Sequence, residues 1–165
     1  MASCAKPMKI KSISAYPLQY PEPHDHNNLR YITLARVQTD EGVVGWGECI
    51  SQFPESAVAV KVIIERGYSP LLVGENALET ERLWHKMLGR VWWYGPQGIA
   101  AFAISAVDMA LWDLRGKLLG LPICQILGSK LHVRVPAMAP FISTWKIWTG
   151  PSTNSIGFES KATEL

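Results

Sequence analysis

The chain has 165 residues, 48% hydrophobic and 18% charged, which places it in the folded globular class with room for one domain and its core. A formal net charge of +2 without a basic run gives nucleic acid no footing. No segment reads as a signal peptide or membrane span, so a cytoplasmic protein without a membrane partner is expected.

Residues 1–7 read as an unstructured start. Met8 to Tyr16 alternates apolar and polar side chains, the period of a half-buried strand. Pro17, Pro21 and Pro23 are expected to break it, leaving a polar loop to Arg30. Within that loop His24 and His26 flank Asp25, but two histidines two residues apart with no third ligand make a weak zinc signal. Tyr31 to Thr39 reads as a second strand, Asp40-Glu41-Gly42 as a turn and Val43 to Cys49 as a third strand. Cys4, Cys49 and Cys124 have no ligand spacing and are expected to be reduced thiols.

From Pro54 the period changes. Glu55 to Tyr68 predicts a short helix ending at Gly67, and Ser69 to Gly74 a connector. Ala77 to Val91 predicts a helix turning Leu78, Leu83, Trp84, Met87 and Leu88 inward, with His85 a surface or packing residue. Trp92, Trp93 and Tyr94 follow and read as core or domain-interface aromatics rather than a ligand platform. Strands followed by helices make the fold class α+β. There is no internal repeat.

The stretch from Pro96 to Gly128 organises the rest. Between Ile99 and Leu114 polar side chains enter only at Ser105, Asp108 and Asp113. A helix apolar on nearly all sides is expected inside a protein. Ser105, Asp108, Trp112 and Arg115 share one helical stripe, and Asp113 and Lys117 form an i,i+4 pair. Gly120 and Pro122 supply the stop signal. Asp108 and Asp113 are expected to be paired structural carboxylates rather than catalytic acids, because a buried carboxylate needs a partner.

Residues 103–117, with Leu121-Pro122-Ile123 and Leu127-Gly128, resemble the mandelate racemase/muconate lactonizing enzyme family of the enolase superfamily. The Thr39-to-Glu48 hairpin is similar to the same family's capping domain, where it forms a three-stranded antiparallel sheet with the first strand, followed by a helical bundle. The resemblance implies a capping domain over residues 8–128 and a first barrel strand over 129–139, near His132. It implies an acid-sugar dehydratase or racemase that abstracts the proton α to a carboxylate, acting on a small carboxylate or acid-sugar substrate as a homo-oligomer. In that family the bases and the three acidic ligands of a divalent metal lie on later barrel strands. No catalytic, metal or cofactor residue is therefore assigned to this chain, and Mg²⁺ is expected only for a full-length parent.

The loop after the family's first strand helps to close the barrel mouth. That maps onto His24, Asp25, His26, Asn27, Asn28 and Arg30, with a second contact at Ile50 to Phe53, chiefly Gln52 and Phe53. A solvated flexible loop is the competing interpretation. Residues 140–165 resemble nothing in the family. With suitable synonymous codons and one nucleotide restored after the Ala139 codon, the same bases can encode an acidic helix start, apolar residues at helical spacing and a Gly-Tyr lead into a strand. A frameshifted tail is thus expected, with a genuine variant tail as the alternative. Two functional readings remain open: an inactive capping fragment of an enzyme, or a stand-alone binding module.

Overall fold

A computed structural model describes residues 7–23, 26–130, 132 and 134. Strands β1 (Ile10–Glu22), β2 (Asn28–Thr39) and β3 (Val44–Ile50) form one antiparallel sheet in that order. The α+β class and the three-stranded sheet are as expected. Period two puts Ile13, Ala15, Ala35, Val37 and Cys49 on a buried face. The β2–β3 turn is held by the Val43 N–H donating to Thr39 Oγ1 at 3.1 Å, with Gly42 at φ 88.

The prolines do not end β1. The Ala15 N–H donates to Glu65 Oε1 at 3.1 Å and the Ala15 carbonyl accepts from Lys61 Nζ at 2.8 Å, so both groups point away from β2. Pro17 and Pro21 share that outward parity on a sheet edge, where a missing N–H costs no ladder bond. The strand therefore runs on to Glu22, and the expected polar loop is instead half strand.

On one face of the sheet lie α1 (Pro54–Val62), α2 (Ser69–Leu72), α3 (Thr80–Arg90), α4 (Ile99–Leu119) and the short α5 (Ile123–Ile126). The helix expected to stop at Gly67 instead passes through a π-helical turn, Ile63–Tyr68, into α2. Ile64, Tyr68 and Leu72, spaced by four and wholly buried, hold the chain helical across the glycine and through the expected connector. Helix α3 begins at Thr80 rather than Ala77, because Leu78 N–H donates to Asn76 Oδ1 in a turn.

Helix α4 lies across β3, burying Ala103, Ala106, Ala110, Leu111 and Leu114. Contact is at backbone distance: a Cβ on Gly45 would stand 2.1 Å from the Ala110 carbonyl oxygen, and one on Gly47 2.1 Å from that of Ala106. Gly120, at φ 65, ends the helix in the left-handed conformation, and Leu121 N–H closes it on the Gly116 carbonyl at 3.0 Å. The helix is not enclosed on all sides by the described residues, since Ile99, Phe102, Met109 and Leu119 are exposed. His132 and Arg134 are exposed and outside any strand; most of the expected barrel strand and the whole of 140–165 lie outside the described residues.

Candidate functional site

The two segments singled out as substrate contacts meet at one end of the sheet. Pairing between β2 and β3 stops at Ile32 with Ile50, and Ser51 N–H adds one bond to the Tyr31 carbonyl at 2.8 Å. Beyond it β1 and β2 continue alone as a two-stranded ribbon, pairing Tyr20 with Arg30 and Glu22 with Asn28. Asn28 and Arg30 are thus strand residues. His26 (φ 52) and Asn27 (φ 59) turn the tip through the left-handed region that Asn and His tolerate better than most side chains, and Asn27 N–H donates to the Glu22 carbonyl at 3.1 Å. His24 and Asp25 lie outside the described residues.

At the ribbon's base, exposed Gln52 and Phe53 lead into α1. Phe53 is clasped by Ser56, whose Oγ donates to the Phe53 carbonyl at 2.8 Å. Beneath them Thr33 Oγ1 donates to the Ala57 carbonyl at 3.3 Å, tying β2 to α1. Burial pushes the Cys49 thiol up, which keeps it a protonated packing group. Ser51 Oγ is buried with no hydrogen-bond partner among the described residues. Cys49 and Cys124 are free.

Arg30, Asn28 and Asn27 present hydrogen-bond donors but no converging acids. Among the described residues no three His, Cys, Asp or Glu side chains are placed to hold a metal ion, so these residues do not fit a Mg²⁺ site. No helix among them is long and apolar enough to cross a membrane.

The two aspartates of α4 part company. Asp113 Oδ2 accepts the Trp46 N–H at 2.8 Å and pairs with Lys117 Nζ at 2.5 Å, while Lys117 also donates to the Val44 carbonyl at 3.0 Å. Together they close the free edge of β3. Asp108, expected to be paired, has no hydrogen bond or ion pair among the described residues; half-burial, with the Glu81 charge second, raises its carboxyl above the usual range. Its stripe is otherwise structural: Arg115 stacks on Trp112 at 5.2 Å and donates to Thr80 Oγ1 at 3.1 Å. His85 is at the surface, 3.6 Å from Glu81. Trp92 and Trp93 are 74% and 80% exposed in an edge-to-face pair, which removes the core reading for these aromatics.

Sequence reasoning missed the ribbon's apolar side chains, Leu18, Tyr20 and Leu29, all exposed. The signal was there: Tyr16, Leu18 and Tyr20 keep period two straight through the prolines.

A family model described as "Mandelate racemase / muconate lactonizing enzyme, N-terminal domain" matches residues 16–128. The D-galactarolactone cycloisomerase of Agrobacterium fabrum is 30% identical over 138 residues, 80% of this chain and 35% of that protein. The arabinonate dehydratase of Saccharolobus solfataricus is 37% identical over 136 residues, 76% of this chain and 36% of that one. Among solved structures, a mandelate racemase/muconate lactonizing protein from Paracoccus denitrificans, complexed with magnesium, superposes with a TM-score of 0.66 at 36% identity, covering 78% of this chain and 32% of that one. The chain thus spans about a third of the length of these relatives.

Proposed function

We propose, for a chain that belongs to the mandelate racemase/muconate lactonizing enzyme family, a substrate-capping role: it is the N-terminal part of an acid-sugar dehydratase or racemase whose barrel carries the chemistry. The observation that carries this reading is the meeting of the β1–β2 ribbon and the Ser51-to-Phe53 segment at one end of the sheet. A ribbon anchored at its base by the Ser51–Tyr31 bond can fold over a barrel mouth, exclude water and orient a substrate. The Arg30 guanidinium and the Asn27 and Asn28 amides supply donors of the kind that a carboxylate or sugar hydroxyl accepts. The proton α to the carboxylate would be taken by barrel residues, where carboxylates would hold Mg²⁺ to supply electrophilic charge stabilisation. The capping residues hold no part of that proton transfer. The whole enzyme is proposed to be a cytoplasmic homo-oligomer acting on small acid sugars.

The test begins with the coding DNA beyond the Ala139 codon. The proposal expects a neighbouring frame that continues into a lysine-bearing strand and spaced acidic ligands; an early stop codon in that frame would remove the frameshift account of residues 140–165. Joined to that barrel, the chain is expected to dehydrate or epimerise an acid sugar with Mg²⁺, and Arg30→Ala to lower kcat/KM at least about tenfold, the loss of one charge-assisted hydrogen bond. Full activity after excision of the ribbon tip would overturn the capping role. The 165-residue chain alone is expected to be inactive, and turnover by it would count against the proposal equally. If no barrel is encoded, the stand-alone binding module is the reading that remains.

A further inference from the structure

A three-stranded sheet has two edges, and an edge strand turns every second residue's N–H and C=O outward, a template on which another strand can pair. In this sheet the chain's own groups occupy that template. At the start of β1 the Ile10 N–H donates to the Glu75 carbonyl at 2.9 Å, and the Ile10 carbonyl accepts the Gly74 N–H at 2.8 Å. At Ala15 the N–H goes to Glu65 Oε1 and the carbonyl takes a bond from Lys61 Nζ, while the two side chains pair at 2.7 Å. Further along, Pro17 and Pro21 offer no donor, and of the outward residues from Pro17 to Pro21 only Gln19 keeps an N–H.

The opposite edge repeats the arrangement with different residues. Asp113 Oδ2 accepts the Trp46 N–H, Lys117 Nζ donates to the Val44 carbonyl, and the two side chains pair with each other. Both edges thus carry one acid and one lysine four residues apart on a flanking helical segment. In each pair the acid meets an N–H and the lysine a C=O, the complement that a neighbouring strand would supply. Ion pairing alone does not account for this. All four side chains are between 32% and 46% exposed, where a salt bridge contributes little to stability and water can satisfy the same backbone groups. Unlike water, a side chain tethered to the adjoining helix also fills the strand's place.

We infer that the Lys61–Glu65 and Asp113–Lys117 pairs are edge blocks: each occupies backbone groups that an added strand needs, and so holds the sheet at three strands. The inference does not rest on the capping proposal, because the blocked groups and the side chains that block them all belong to the described residues.

Thioflavin fluorescence and light scattering on the 165-residue chain test the β1 edge, with far-UV circular dichroism to show that each variant is folded. Lys61→Ala with Glu65→Ala should raise the rate of strand-on-strand assembly at least about tenfold over wild type. Exchanging the pair, Lys61→Glu with Glu65→Lys, keeps an i,i+4 ion pair but sets an acid against the Ala15 carbonyl and a lysine against its N–H. It should assemble as the double alanine variant does, which a role in ion pairing alone would not produce. Adding Gln19→Pro to either variant removes the remaining donor of the Pro17-to-Pro21 edge and should return assembly to the wild-type rate. A general loss of folding would not be reversed by removing one edge donor. If the double alanine variant fails to fold, the exchanged pair decides alone. Assembly at the wild-type rate in the folded variants would overturn the inference, as would assembly that Gln19→Pro leaves unchanged.

Discussion

Gly47→Ala probes the close backbone packing of β3 against α4. The added Cβ would lie 2.1 Å from the Ala106 carbonyl oxygen, 2.6 Å from the Ala110 amide nitrogen and 2.9 Å from Met109 Cβ. Two of these are helix backbone, which no rotamer change can move aside. Helix α4 must then rise by roughly 1 Å to restore van der Waals separation, and a gap of that size forfeits a quarter to a half of each contact's attraction. The same lift stretches the Trp46–Asp113 and Lys117–Val44 bonds that close the edge of β3. The cost belongs at the upper end of overpacking penalties, about 3 kcal/mol. For a domain of this size that lowers the melting midpoint by about 10 °C. Gly89→Ala is the matched control: nothing lies within 4 Å of its Cβ position in the last turn of α3. Removing a helical glycine there should stabilise by about 0.5 kcal/mol. Thermal and urea melts followed by far-UV circular dichroism read both. If Gly47→Ala melts within about 2 °C of wild type, well under 1 kcal/mol, helix and strand are not in backbone contact and the packing argument fails.

Asp113→Ala should cost about 1–2 kcal/mol in urea melts, because it leaves the Trp46 N–H on the β3 edge without its charged acceptor, while Asp113→Asn should recover part of the loss. The Lys86 ammonium, followed by the Arg82 guanidinium, holds the Glu75 carboxyl down at about 2. A depressed folded-state value stabilises above the ordinary carboxyl range and is lost as pH falls toward 2, so Glu75→Gln should flatten the acid limb of a stability–pH curve; an unchanged limb would contradict the pairing. Asp108 has the opposite sign: its raised carboxyl makes the folded state lose stability as pH climbs above 3.8, the ordinary value. Asp108→Asn is therefore expected to be more stable than wild type at pH 7 and equal to it near pH 3, and a destabilised variant at pH 7 would reveal a partner for the charge.

Where the chain's own periodicity was local, the sequence alone was sufficient. Alternation placed Ile13, Ala15, Ala35 and Val37 on one buried face, and the i,i+4 spacing of Leu83 and Met87 turned α3 inward. Gly120 marked the end of α4 because only a glycine readily takes φ 65. The identities along residues 103–128 pointed to the family. The tertiary structure decided what depends on partners far along the chain. Pro17 and Pro21 are strand residues because Lys61 and Glu65 show which way the edge of β1 faces. The helix runs through Gly67 because Ile64, Tyr68 and Leu72 are all drawn into one core. Asp113 found a backbone N–H 67 residues away, whereas Asp108, five residues earlier on a different face of the same helix, found no partner among the described residues. The ribbon that brings the candidate site together exists because β2 outruns β3 by several residues, a difference in strand length that only the pairing register reveals. Local period tells a residue which face it occupies; whether that face meets a helix, an edge or water is set by contacts between segments, and those form only when the whole chain has packed.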